Sequence, residues 1–384
     1  MKQNKQAQAA SAPAKKSVKK IDPVFLTLVL ILLAVGLVAL FSASYAYAYY
    51  YEGNSYHYIL RQSIFAVGGV VAMIFIGNFI PASFMRKWVW FLLGLTNILL
   101  VIALFSPPIN EAHRWIFLGS FTFQPSEMAK FAVILGFAHV IEKYYGNKNK
   151  FGYKIGQYIL IIAPICGLVI IEPHISATIL LVGIAGSMLF IGDNDKRIWI
   201  SLFAVIAAAA VAFVALPGLR NRALSRIGPW IKSFTSLDVD LMHYQTKQSL
   251  YAIASGGLFG VGLGNSRQKH LYLPEPQNDF IFAIWCEEMG VIGAVLVIVL
   301  FALIIWRGFY IAMRAKDRFS SLLCAGITLQ IALQSLLNVA VVTNCLPNTG
   351  IALPFFSYGG TQLFILLCEM GAVLSVSKWA RLEK

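Results

Sequence analysis

Apolar stretches of about twenty residues recur along almost the whole chain. They constrain the fold more than any other feature, because about 20 helical residues cross the hydrocarbon core of a bilayer, which is about 30 Å thick. Ten can be read, at 24–43, 60–80, 88–105, 125–142, 156–171, 175–192, 198–216, 279–306, 320–343 and 358–378. With 58% hydrophobic and only 12% charged residues, the chain is far from the roughly 25% charged composition of a soluble domain. A helix satisfies its own backbone inside lipid, so the expected fold is all-α: a polytopic bundle of about ten transmembrane helices rather than a barrel.

The net charge of +14 raises the possibility of a nucleic-acid partner, but the positions of the basic residues point to membrane topology instead. Six lysines precede residue 21, and Arg86, Lys87, Lys143, Lys148, Lys150, Lys154, Lys196, Arg197, Arg307, Arg314, Lys316, Arg318, Lys378, Arg381 and Lys384 fall in alternate connections and at the C-terminus. The short connections on the other side hold only Arg61 and Arg114. Positive-inside asymmetry therefore predicts both termini in the cytoplasm, and no nucleic acid is implied. Residues 217–278, between the seventh and eighth spans, form a long extracytoplasmic loop. Residues 1–20 read as a disordered basic arm beside anionic membrane lipid, ahead of a membrane domain over 21–384. The first apolar run is too long for a cleaved leader, and more spans follow it.

Five cysteines lie in or at the ends of spans without a C-x-x-C spacing, which indicates neither a zinc site nor a disulfide frame. The phosphate-binding pattern G-x-x-x-x-G-K-[ST] is missing, so no nucleotide is expected.

Charged residues inside apolar segments are functional candidates by default, and Glu127, Lys130, Glu172, Asp279, Glu287, Glu288 and Glu369 stand in or beside the spans. Glu172 and Glu369, near span ends, suit structural roles. In "RWIFLGSFTFQPSEMAK", Pro125 suits a first helical turn, and Glu127 and Lys130 share a face at i,i+3. They can serve as a packing ion pair or as substrate contacts. Arg114, beside the interfacial Trp115, can grip phosphate bidentately. In the long loop, "QSLYAIASGGLFG" suits an amphipathic surface helix whose glycines let backbone amides approach a phosphate, and Arg267 with Lys269 forms a cationic patch.

Asp279 opens the eighth span. It is either a helix N-cap or a general base, and Glu287, about 12 Å deeper on an ideal helix, is too far away to form a close acid pair with it. "CLPNTGIALPFFSYGGTQL" joins the last two spans with irregular backbone suited to lining a cavity, and its Ser357 and Tyr358 are polar groups at a helix start. No metal-ligand set can be read.

Three ordered stretches, "RWI…QPSEMAK", "SGGLFGVGLGNSRQK…YLPEPQNDFIFA…EEMG" and "PNTGIALPFFSYGG", together resemble the SEDS family of bacterial membrane glycosyltransferases, in the division-type branch more than the rod-elongation branch. The resemblance covers nearly all of the chain after residue 21. It implies polymerisation of lipid II at the outer face of the cytoplasmic membrane, at the division septum, with Asp279 as the base that deprotonates the acceptor 4-hydroxyl in an inverting transfer. It also places Glu127, Lys130 and Arg114 in the central cavity. A divalent cation, Mg2+ or Mn2+, is compatible with a diphosphate leaving group. The implied partners are a class B penicillin-binding transpeptidase and other divisome proteins. His174 stands where many relatives carry an acidic residue, so no role of that carboxylate carries over. The competing readings are a lipid II flippase or other transporter, for which buried charge is also typical, and a non-catalytic divisome scaffold.

Overall fold

The structure is a computed structural model that describes residues 20–108, 113–119, 121–147, 150–172, 174–193, 195, 197, 224, 227–231 and 243–380. Its helices are α1 (Pro23–Glu52), α2 (His57–Phe79), α3 (Ala82–Lys87), α4 (Val89–Leu104), α5 (Pro125–Lys143), α6 (Phe151–Ile171), α7 (Ile175–Gly192), α8 (Tyr244–Gly256), α9 (Ile281–Met313), α10 (Arg318–Val342) and α11 (Gly360–Trp379). Seven of them, α1, α2, α6, α7, α9, α10 and α11, are long and apolar enough to cross a membrane. With α4 and α5, nine of the expected spans coincide with helices. The span expected at 198–216, most of the loop preceding α8 and the arm before Lys20 lie outside the described residues.

Each helix boundary has a local cause. Asp22 caps α1 by accepting from the Phe25 N–H at 2.7 Å, ahead of Pro23 at the first helical position, and Gly53 in the left-handed conformation ends the helix. Asp317 caps α10 through the Ser320 N–H at 3.1 Å. The start of α1 and the end of α11 meet on one face. There the Asp22 N–H donates to Ser377 Oγ at 3.0 Å, and Arg307 closes on the Asp22 carboxylate at 2.5 Å. On this terminal face Lys154 also pairs with Asp193, and Arg86 with Glu142 at 2.9 Å.

α5 is the central helix. It buries thirteen residues, including Ser126 and Lys130, against α4, α7 and α10. Being surrounded by protein, it can carry charge that a lipid-facing helix cannot. On the face opposite the termini, Ile116–Leu118 and Phe121–Phe123 form a small antiparallel hairpin, β1–β2, which leads directly into α5. Strands of three residues leave too short an alternation to be read in advance.

One break organises the opposite face. Within α9, Gly290 adopts φ 65 and ψ −166, which interrupts the helical ladder and frees backbone groups on both sides. The glycine-rich segment after α8 satisfies them. The Val261 and Gly262 N–H groups donate to the Glu287 and Glu288 carbonyls, each at 3.0 Å. In return the Val291 N–H donates to the Gly257 carbonyl at 3.0 Å. The sequence suggests that these glycines bring amides to a phosphate. The structure corrects this: at these positions the amides close on a broken helix. α8 forms where expected, but it packs its small side chains, Thr246, Ser249 and Ala252, against the bundle.

Gly260, at φ 80, is the tightest point of this docking: an added Cβ would stand 2.1 Å from the Glu288 carbonyl oxygen. Gly260→Ala is therefore expected to destabilise the protein by about 2 kcal/mol or more, from the left-handed backbone and the clash together. A drop of several degrees in the melting temperature of the detergent-purified protein is the expected result; an unchanged melting temperature would contradict the docking.

Candidate active site

Two adjacent buried carboxylates beside the α9 break hold the loop that follows the glycines. Glu287 accepts from Ser266 Oγ and, at 3.0 Å, from the Arg267 N–H. Glu288 accepts from Ser42 Oγ at 2.6 Å and pairs with Lys269 Nζ at 2.9 Å, with both side chains almost wholly buried. Lys269 also donates to the Gly264 carbonyl at 2.6 Å. The cationic patch expected at Arg267 and Lys269 is thus corrected in one member: Lys269 is buried in an ion pair that ties the loop to α1 and α9. The Arg267 side chain is exposed, and its backbone serves the same anchor.

From this anchor the loop returns to the bundle at Asp279. The capping reading of Asp279 does not hold, because α9 begins at Ile281 with Phe280 at its cap position. Asn338 of α10 instead grips the Asp279 backbone, donating to its carbonyl at 2.7 Å and to the Ile351 carbonyl at 2.6 Å. Ser357 Oγ donates to the Asn278 carbonyl at 2.8 Å and accepts from the Leu353 N–H at 2.8 Å. The Tyr358 N–H donates to the Gln277 carbonyl at 2.9 Å. The carboxylate itself lies against Gly350, where a Cβ would come within 3.1 Å of Oδ2. Two loops and one helix therefore fix the position of Asp279.

Asp279 faces a cavity of about 490 Å³ that also receives Arg61, Arg114, Glu127, Lys130 and Glu275. This size is ordinary for a ligand pocket. Lys130 Nζ pairs with Glu127 Oε2 at 2.6 Å and donates to Gln334 Oε1 at 3.3 Å, and Gln334 in turn donates to the Ala352 carbonyl at 3.1 Å. Arg114 reaches the Glu172 carbonyl at 3.4 Å, and Ser126 stands 3.5 Å from His174 Nδ1. Tyr358 stands at the cavity wall with Arg61.

Of the residues singled out in the sequence, Arg114, Glu127, Lys130, Asp279 and Tyr358 meet at this cavity. Arg267, Lys269 and Ser357 do not line it; Lys269 and Ser357 secure the loops that shape it. Sequence reasoning missed Arg61, Glu275, Gln334 and Asn338. Arg61 has a readable signal, as one of only two cations in the short connections of its side, but there it served only to orient the chain. Among the described residues no group of three or more His, Cys, Asp and Glu side chains forms a metal cluster.

Residues 23–382 match the family model of FtsW, RodA and SpoVE, described as cell cycle proteins. The chain belongs to that family. Relatives in the FtsW/RodA/SpoVE family include the stage V sporulation protein E of Bacillus subtilis, 37% identical over 94% of this chain and 99% of its own length. A probable peptidoglycan glycosyltransferase FtsW from Thiomicrospira cyclica is 34% identical over 96% of this chain and 94% of its own. The fold is shared with a chain of a peptidoglycan synthase complex, at TM-score 0.75 and 23% identity over 94% of this chain and 99% of that one. It is also shared with the Rod shape determining protein RodA of Thermus thermophilus, at TM-score 0.68 and 24% identity over 94% of this chain and 98% of that one.

The loop anchor makes a thermodynamic prediction. Lys269→Met leaves Glu288 buried without its cation and is expected to cost about 3–5 kcal/mol, whereas Lys269→Met combined with Glu288→Gln recovers part of that loss. Chemical or thermal unfolding of the two variants checks this; a single variant as stable as wild type would contradict the buried pair.

Proposed function

We propose that this member of the family is a peptidoglycan glycosyltransferase that polymerises lipid II, with Asp279 as general base. The observation that carries the reading is a carboxylate with a fixed backbone in a cavity shared with Arg61, Arg114 and Lys130. The curated FtsW relatives are named for the same activity.

Asp279 accepts the proton of the acceptor's sugar 4-hydroxyl, and the oxygen so released attacks the donor's anomeric carbon. A C–O bond forms there with inversion as the bond to the lipid diphosphate breaks. The diphosphate leaves with the electron pair, and the proton held on Asp279 passes to solvent. Because the diphosphate linkage already activates the donor, no nucleotide is required. The leaving group needs neutralisation of its charge, for which Arg61 and Arg114 are suitably placed and Arg114 is geometrically suited to phosphate. Lys130, already paired with Glu127, orders the inner wall; a field contribution to the same charge follows from its position.

A divalent cation fits this donor set. Mg2+ typically takes one or two carboxylates plus substrate phosphates, and Glu275, which lines the cavity with Asp279 and Glu127, would hold Mg2+ or Mn2+ beside them and leave Asp279 to act as base. It would supply further neutralisation of the leaving diphosphate.

On this reading the terminal face is cytoplasmic and the cavity opens to the outer leaflet, in agreement with the charge asymmetry of the sequence. The named relatives favour duty at a septum, in division or in sporulation. A class B penicillin-binding transpeptidase is the expected partner, because the structural neighbour comes from a synthase that coordinates polymerisation with crosslinking. A lipid II flippase has less support: the charges of the terminal face, Asp22 with Arg307 and Lys154 with Asp193, are held in ion pairs rather than lining a crossing path. A pure scaffold gives no reason for a positioned carboxylate.

With purified lipid II and the cognate transpeptidase, wild type is expected to form glycan polymer and Asp279→Asn to lose about 100-fold or more of that activity while remaining folded and partner-bound. Normal polymerisation by the variant would reopen transport and scaffolding. Chelation of divalent cations is expected to slow the wild-type reaction and added Mg2+ or Mn2+ to restore it; a rate indifferent to chelator would remove the cation from the mechanism.

A further inference from the structure

A run of tyrosines leads away from the cavity. Tyr358, at the cavity wall, meets Tyr58 with ring centroids 4.7 Å apart and planes at 82°. Tyr58 adjoins Tyr47 at 6.2 Å, Tyr47 adjoins Tyr51 at 4.4 Å, and Tyr51 adjoins Tyr50 at 5.0 Å and 79°. Exposure rises along the run: Tyr358, Tyr58 and Tyr47 are partly buried, whereas Tyr51 and Tyr50 are 60% and 68% exposed. Glu275, another residue of the cavity wall, is close enough to Tyr47 and Tyr58 to act electrostatically on both.

The ordinary explanation for tyrosine at a helix end is an interfacial belt, which holds the ring at headgroup level. Helix length argues against that for the outer members of the run. α1 has 30 residues, about 45 Å of helix, against a hydrocarbon core of about 30 Å. With Asp22 and Arg307 anchoring its start at the terminal face, about twenty residues complete the crossing near Ala43. Tyr45 suits the belt, but Tyr50 and Tyr51 rise beyond it. The run also turns inward, from α1 through Tyr58 to the cavity, whereas a belt would stay in one plane facing lipid.

We propose that Tyr358, Tyr58, Tyr47, Tyr51 and Tyr50 form a saccharide-binding track that holds the sugar strand joined to the reacting unit outside the cavity. This inference rests on the glycosyltransferase reading above and adds to it a binding subsite and its ligand class. The apolar C–H face of a pyranose ring packs on an aromatic face, and phenol hydroxyls bond the sugar's polar rim. At the outer end of the run Tyr50 and Tyr51 are exposed and available to a ligand. The steps between rings are on the scale of single sugar residues, and the run is continuous with the cavity in which the strand would be extended.

The test uses the full-length protein in nanodiscs and, as probe, a lipid-free, peptide-free octasaccharide of alternating N-acetylglucosamine and N-acetylmuramic acid, with binding measured by calorimetry. Tyr47→Leu/Tyr51→Leu is expected to weaken octasaccharide binding about tenfold and, with lipid II as substrate, to shorten the strands while the first coupling of two lipid II molecules proceeds at the wild-type rate. Tyr47→Phe/Tyr51→Phe should retain most of the binding, and Tyr45→Leu/Tyr49→Leu, at the same helix end but outside the run, should match wild type. Equal binding by wild type and Tyr47→Leu/Tyr51→Leu, or an equal loss in the Tyr45/Tyr49 pair, would overturn the track and leave only an interfacial belt. Strands of unchanged length from a protein that polymerises would also overturn it, without touching the glycosyltransferase reading. A wild type that makes no polymer with its partner would overturn that reading first.

Discussion

The geometry of the site depends on one exchange of backbone hydrogen bonds. Gly290 breaks α9 close to the apolar region, where unpaired amides and carbonyls cost several kcal/mol each, and the glycine-rich segment at 257–262 supplies the partners that the helix has lost. Only residues without a side chain permit the approach, since a Cβ at Gly260 or Gly290 would meet backbone of the facing segment. Once docked, the loop is secured by Glu287 and Glu288, and the chain that leaves this anchor carries Asp279 to the cavity. A helix defect, a loop and a carboxylate are therefore one mechanical unit.

The same logic explains why so much polarity can reside inside a membrane bundle. Several of the buried charges are arranged in local pairs and short relays: Glu127 with Lys130 and Gln334, Glu288 with Lys269 and Ser42, and one Glu369 oxygen with Gln330 at 2.8 Å. Such pairs contribute little net stability compared with an apolar alternative, but breaking one member is expensive, which makes them effective in holding a single arrangement. The central position of α5 is what permits Glu127 and Lys130 to face a cavity rather than lipid. The wall they form is tied through Gln334 to Ala352, next to Ile351, whose carbonyl shares Asn338 with Asp279.

Much of this was legible in the sequence, for identifiable reasons. Apolar runs near twenty residues have few alternatives to membrane helices, and nine of the expected spans coincide with helices. Asp279, Glu127, Lys130 and Arg114 were conspicuous because charge is rare in such surroundings, and all four face one cavity. What escaped depended on contacts distant in the chain. Lys269 looks like a surface cation until Glu288 and Ser42 are folded against it. Glycines that suit a phosphate equally suit a broken helix, and nothing in "EEMGVIGAV" marks Gly290 as the break. Asn338 sits unremarked in an apolar span, yet it holds the Asp279 backbone from a distance of 59 residues in sequence.

The proposed function depends on glycosyl transfer at the Asp279 cavity. A cryo-electron microscopy structure of the Asp279→Asn variant with the proposed transpeptidase partner and lipid II is the decisive measurement, because the substitution keeps the shape of the side chain and is expected to stall the reaction. An acceptor 4-hydroxyl is expected within hydrogen-bonding distance of the residue at 279, about 2.6–3.2 Å, with a donor diphosphate beside Arg61 and Arg114. Lipid II seated elsewhere on the bundle, with this cavity holding no sugar, would contradict it.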